Sequence, residues 1–414
     1  MMAAVRRRSS RDIRSESRLD VLHALLSLGK SNRKELARTT GLSLATVATV
    51  VSELIAERLV EEAGLFLGGA GRPTTTLRLN RARGFIAGID VAETYVSTHL
   101  FDASLAQVSA ADVALDEHRT SADYVVDGLV ESFSDAVAQA GVDREALLGV
   151  GVSVPGLVQS SIGITSAVAP HGSWRNMELI ELVRERIGLP LVIENPLKAM
   201  ATAELWLGRG RDAASTVTVS LGTGVGAGII LEGKILRGAT NSAGEWGHSL
   251  LVYGGRGCRC GRRGCVEAYV GAPGIQQTLL EVDPSHPLAG IELQRDFIGA
   301  LAAEMGTGEP DPAVRETVER TARYLGSAIA DLVAIINPGL VLLTGWTAWA
   351  LGDHLLPGTT AQILAESPDG AANDLTVGIS TVRGNSVSIG MATLAFERFL
   401  GDRGLVTTRV PLAL

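Results

Sequence analysis

The chain has 414 residues, 46% hydrophobic and only 4% aromatic, with a net charge of −8. That length predicts two or more domains with full cores, and the wealth of Ala, Gly and Val suits an α/β protein. No apolar run reaches the roughly 18–20 residues of a membrane span, and the basic start MMAAVRRRSSRDIRSESR lacks the apolar stretch of a signal peptide. A cytoplasmic protein without a membrane partner is expected, in a compartment where thiols stay reduced.

The charge is uneven. Residues 1–83 hold 15 Lys and Arg against 8 Asp and Glu, which makes this segment positive by 7 and the remainder negative by 15. A basic segment on an acidic body points to a polyanion that meets this segment alone. Residues 1–17 read as a disordered basic tail and residues 18–82 as a DNA-binding domain. Leu19, Leu22, Leu25 and Leu26 keep helical spacing up to Gly29. Asn32 can cap a short helix from Arg33 to Thr39, and Gly41 turns the chain. Ser43 caps a third helix over 44–58, with Val47, Val50, Val51, Leu54 and Ile55 as its buried stripe. Helix, tight turn and helix make a helix-turn-helix. Strand-like runs at 59–62 and 75–79 flank the Gly-rich residues 67–73, which read as a wing.

In such a winged helix the start of the third helix enters the major groove. Ser43, Thr46 and Thr49 are then the candidate base contacts and Arg33, Lys34 and Arg38 the candidate phosphate contacts. Arg72, beside Pro73, is placed to enter a minor groove. Small hydroxylated residues read bases weakly, so backbone contacts and DNA shape share the load. Paired half-sites predict a palindromic double-stranded DNA operator and a homodimer or homotetramer.

From Gly84 the texture changes. Strands are predicted at 84–91, 95–102, 105–115 and 147–154, with a helix at about 120–140; a second set of strands begins at 216–221 and 227–231. Two successive β-β-β-α arrangements predict duplicated lobes with a cleft between them. Lobe one covers about 84–208 together with a returning helix at 385–400, and lobe two covers about 214–384. Within the second, all three cysteines of the chain, Cys258, Cys260 and Cys265, fall inside eight residues. Glycines at 257, 261 and 264 let such a loop curl. Three thiolates and one imidazole suit a structural tetrahedral zinc; spacing alone leaves His248 and His286 as alternatives for the fourth ligand.

The motifs Ala243-Gly244-Glu245-Trp246-Gly247-His248 and Gly264-Cys265-Val266-Glu267 resemble those of the ROK family. That family groups sugar-responsive repressors and sugar kinases on an actin-like, ribonuclease-H-like fold. The resemblance runs from about residue 18 to 400, assigns residues 84–400 to the ROK domain, and implies His248 as the fourth zinc ligand. It also implies Asn195, Glu245, His248 and Glu267 as sugar contacts, with residues 166–174 as a further sugar-contacting segment. Carboxylates and amides suit vicinal hydroxyls. The helix-turn-helix and the Gly71-Arg72-Pro73 hairpin are similar to the family's repressor branch.

Phosphoryl transfer needs a phosphate cradle and a base, and here the family's kinase parts depart from pattern. Its first phosphate loop, Asp-x-Gly-Gly-Thr, stands as Asp90-Val91-Ala92-Glu93-Thr94. The catalytic Asp position after Asn195 holds Pro196, and Trp346 replaces the second glycine of Gly345-Trp346. A non-enzymatic, sugar-responsive regulator, most simply a repressor, is expected. An active sugar kinase carrying a DNA-binding module is the alternative, with the glycine loop 222–228 in its favour. Pro196 and Lys198 also raise a regulator controlled by a protein partner.

Overall fold

A computed structural model describes residues 10–66, 74–116, 118–119, 121–159, 163–166 and 179–405. The chain divides into two compact units. Met1–Thr165, Ser173–Leu207 and Asn385–Leu414 form the first, and Ser166–Gly172 with Gly208–Gly384 form the second.

Helix α1 (Ser10–Leu28) starts inside the segment expected to be a disordered tail; residues 1–9 lie outside the described residues. The first turns of α1 make long-range contacts. Arg14 bonds to Glu53, Arg18 pairs with Glu53 and Glu57, and Ser15, Glu16 and Ser17 are buried. A run rich in charge thus finds its partners some forty residues away. The next helix, α2 (Arg33–Thr40), is capped by the Asn32 side chain, which accepts from Lys34 N and Glu35 N, and it ends at Gly41 with φ of 70°. Ser43 caps α3 (Leu44–Ala56), whose Val47, Val50, Val51 and Leu54 are buried. The bend between α2 and α3 is 113°, within the helix-turn-helix range. Strands β1 (Val60–Phe66) and β2 (Thr74–Leu79) pair antiparallel, and Ser31 forms an isolated antiparallel bridge to Leu77. The wing tip, residues 67–73 with Arg72, lies outside the described residues.

Lobe one follows as β3 (Phe85–Val91), β4 (Tyr95–Asp102), β5 (Gln107–Ala114), α4 (Ala122–Ala140) and β6 (Leu147–Ser153). The hairpin β7 (Leu157–Gln159) and β8 (Gly163–Ser166), then α5 (Leu179–Ile187), β9 (Leu191–Glu194) and α6 (Pro196–Leu207), complete it. Its sheet runs β5-β4-β3-β6-β9, antiparallel among the first three strands and parallel thereafter.

The second unit repeats the plan. Strands β10 (Thr216–Leu221), β11 (Val225–Leu231) and β12 (Lys234–Ile235) precede the helices α7 (Glu267–Val270), α8 (Ala272–Val282), α9 (Gln294–Met305) and α10 (Pro312–Ile336). Then come β13 (Leu340–Thr344), α11 (Trp346–Glu366) and β14 (Thr376–Ile379), giving the order β12-β11-β10-β13-β14. Both sheets are a meander followed by two parallel strands, the duplicated ribonuclease-H-like pattern.

The last helix, α12 (Ser386–Gly401), returns to the first unit and lies on β3 and β6 at backbone distance. A Cβ on Gly151 would stand 2.1 Å from Met391 O, so only glycine fits there. The helix-turn-helix is bound to this lobe rather than tethered beside it. The His23 ring of α1 packs at a tilt against that of Trp206 near the end of α6, centroids 4.0 Å apart, and Trp206 Nε1 donates to Glu397 of α12 at 2.6 Å.

Candidate metal and ligand site

The sequence Glu245–His248 forms a single 3-10 turn after Gly244, which aims His248 toward the cysteine loop. That loop is stapled by its own backbone. Cys258 N donates to Arg262 O at 2.8 Å, Gly264 N to Arg256 O at 2.7 Å, and Leu250 pairs with Cys265. Gly264 sits at φ of 81°, and a Cβ there would stand 1.8 Å from Val252 O, a place closed to any side chain.

These turns bring His248, Cys258, Cys260 and Cys265 together, with ligand atoms all within 4.8 Å of one another. A tetrahedral ion with metal–sulfur bonds of about 2.3 Å and a metal–nitrogen bond of about 2.0 Å needs sulfurs about 3.8 Å apart and sulfur to nitrogen about 3.5 Å. Cys260 Sγ and Cys265 Sγ are 3.7 Å apart, and Cys258 Sγ is 3.6 Å from His248 Nδ1. The sulfurs are much too far apart for a disulfide. Burial pushes the Cys258 thiol up to about 12 and raises Cys265 as well, whereas at Cys260 burial is outweighed by hydrogen bonds from Arg262, which lower it; a cation among them would favour all three thiolates. By these distances the cluster fits a divalent ion, with His248 turning Nδ1 toward Cys258. His286 stands elsewhere, accepting from Leu288 N at 3.2 Å and pairing with Asp311.

Glu267 connects the cluster to a cavity. It begins α7 and is 6% exposed. Its Oε2 accepts from Val225 N at 3.0 Å, its Oε1 accepts from Arg259 Nε at 3.1 Å, and Cys258 Sγ lies 3.6 Å from Oε1. A depression of about 420 Å³ opens here, lined by Thr223, Gly257, Cys258, Arg259, Glu267 and Gln277. Glu245 is half-buried on the 3-10 turn of His248. Asn195 belongs to the first unit. It is 5% exposed, its Oδ1 accepts from Leu197 N to start α6, and its Nδ2 donates to Gly156 O. Most of the segment 166–174 lies outside the described residues.

Two residues around the cluster escape a reading of the sequence. Arg259 carries no signal beyond its place between two cysteines. Arg256 uses all five of its N–H groups: Nε and Nη2 reach Glu281, Nη1 reaches Ala268 O and Gly274 O, and Nη2 also reaches Thr278. It clamps the start of the cysteine loop to α8, and its partners lie 12 to 25 positions downstream, beyond any local pattern.

The glycine loop between β10 and β11 is filled from two sides. A Cβ on Gly222 would meet Trp346 Nε1 at 2.8 Å, and one on Gly224 would meet Arg259 Nη2 at 2.8 Å. The loop after Asp90 is a tight turn, with Ala92 N donating to Tyr95 O at 2.8 Å and the Tyr95 hydroxyl donating to buried Asp90.

On the helix-turn-helix, Lys34 and Arg38 are exposed, and Arg33 is half-buried near Glu62. Ser43 and Thr49 are exposed, whereas Thr46 is half-buried.

A family model described as the ROK family matches residues 86–398, most of the chain. The chain belongs to the ROK family. Among curated relatives, a putative xylose repressor of Caldicellulosiruptor sp. (strain Rt8B.4) is 30% identical over 352 residues, covering 83% of this chain and 86% of the relative. A crystal structure of a ROK family transcriptional regulator, a homologue of the E. coli MLC protein, matches with a TM-score of 0.74 at 25% identity. The match covers 95% of this ROK chain and 99% of the regulator's own. A ROK glucokinase from Streptomyces griseus, solved with glucose and AMPPNP, matches at 26% identity and a TM-score of 0.63, covering 75% of this chain and 99% of its own. The regulator's match thus extends over more of the chain than the kinase's.

Proposed function

We propose that this protein is a DNA-binding transcriptional repressor released by a sugar or sugar derivative, with a zinc-stabilised loop and no kinase activity. One observation carries the reading. Asn195, a proposed sugar contact, holds the start of helix α6 through Leu197 N, and Trp206 near the other end of α6 packs against α1 of the helix-turn-helix. A ligand that favours one setting of α6 over another has a direct path to the DNA-binding helices, and it can shift them only by its differential affinity for the two settings.

Zinc is the ion that the three thiolates and one imidazole suit, with all four positions taken by protein, as in a structural site. When bound, it supplies charge that holds the thiolates. His248, Cys258, Cys260 and Cys265 would hold it, and they keep Glu245 and Glu267 close by. In the second unit Glu245, Glu267 and His248 Nε2 are proposed partners for sugar hydroxyls; in the first unit Asn195 is proposed. The DNA contacts proposed are Arg33, Lys34, Arg38, Ser43, Thr46, Thr49 and Arg72, on a palindromic operator bound by a homodimer or homotetramer.

Loss of kinase chemistry is supported by Pro196, which cannot accept a proton where the family's Asp would. Removing a general base costs about 10²–10⁴ in rate. Trp346 and Arg259 against the glycine loop support it further. A coupled ATP-turnover assay across neutral, acidic and phosphorylated sugars tests the reading, alongside operator binding with each sugar. Clear turnover sinks it; operator release by one sugar class without turnover supports it.

A further inference from the structure

We propose that α3 reads thymine methyl groups in the major groove instead of hydrogen-bonding to base edges. The proposal rests on the DNA-binding reading above and names how that contact discriminates sequence.

The hydroxyls on this helix are engaged within it. Ser43 Oγ accepts from Thr46 N at 3.1 Å and shares a hydrogen bond with Thr46 Oγ1 at 2.8 Å. Thr49 Oγ1 donates to Ala45 O at 3.2 Å, and Ser52 Oγ donates to Ala48 O at 2.9 Å. Thr49 and Ser52 have thereby spent their only protons, and Ser43 and Thr46 use one of their two on each other, so a single hydroxyl proton is left for a base edge. Residues 43–52 contain no Arg, Lys, Asn, Gln, Asp or Glu, the side chains that make the usual hydrogen bonds to bases.

What the helix presents instead is methyl groups. Leu44 is 49% exposed at the first helical position. Ala45 and Thr49 are exposed and Ala48 is half-buried. Positions 44, 45, 48 and 49 form one stripe on a helix of 3.6 residues per turn. Exposed Lys34 and Arg38 on α2 supply the charge complementarity for phosphates. Among the bases, thymine alone carries a methyl group in the major groove, and alanine, threonine and other apolar side chains pack on it.

The full chain, free of sugar, is used to select binding sites from a random duplex library. Thymines of the enriched site are then replaced singly by deoxyuridine, which deletes the methyl and leaves the pairing edge intact. Each contacted thymine should lose about fourfold in affinity, the effect of one buried methyl. In Leu44→Ala the loss at one of these positions should shrink toward none, with the melting temperature unchanged because Leu44 lies at the surface. An enriched site that tolerates deoxyuridine everywhere overturns the methyl reading and leaves DNA binding standing. A library that enriches no sequence overturns the regulator reading itself.

Discussion

Asp90→Asn separates what burial does at the end of β3 from what the Asp90 charge does. Asp90 is 7% exposed on β3, and its Oδ2 accepts from the Tyr95 hydroxyl at 3.1 Å. Burial pushes its pKa up to about 6, and the Tyr95 bond only partly opposes this. In the unfolded chain an Asp titrates near about 3.9. The folded state holds the proton more tightly, so this group's contribution to stability is complete below the unfolded value and is lost as pH rises through about 6. A gap of about two units corresponds to about 3 kcal/mol well above that pH. Asparagine cannot ionise, and it keeps an acceptor for Tyr95. Its buried amide N–H groups add a cost of about 1–3 kcal/mol that does not vary with pH. Urea unfolding from about pH 4.5 to about 8, read by hydrogen exchange of β3 and β4 amides, reports the first unit alone. The stability of the variant relative to wild type should rise by about 2 kcal/mol across that range. A difference that stays flat, or falls, refutes the assignment of a buried, high-pKa carboxyl.

Three further outcomes are expected. Cys258→Ser should reduce bound zinc, measured by elemental analysis, from about one ion per chain to almost none, and lower the melting temperature of the second unit. Arg256→Ala should release the metal to a chelator several-fold faster and destabilise that unit by about 2–4 kcal/mol, since it unties five hydrogen bonds. Trp346→Ala should cost about 2–3 kcal/mol in urea unfolding through the space it leaves on the glycine loop. With Pro196 still in place, it should produce no sugar-dependent ATP turnover.

Much of the site was legible in the sequence because its cues are local. Cys258, Cys260, Cys265 and the Glu245–His248 turn lie within about twenty residues, so spacing and glycine content are enough to predict a converging loop. The same holds for the helix-turn-helix, where Asn32, Gly41 and Ser43 act on their own neighbours. The paired β-strands of both lobes show as apolar runs because most of their residues are buried.

What the tertiary structure decided lies in contacts between distant residues. The first helix is tied to α3 by Arg14 and Arg18 with Glu53 and Glu57, partners that no property of the first twenty residues announces. Arg259 closes on Glu267, and Trp346 on Gly222, only once the chain has folded. The docking of α1 on Trp206, itself hydrogen-bonded to Glu397, joins residues far apart in the chain. Local sequence determines caps, turns and periodicity because those depend on neighbouring backbone groups. The partner of a long charged or aromatic side chain is set by which surfaces packing brings within reach, and that is a property of the whole fold.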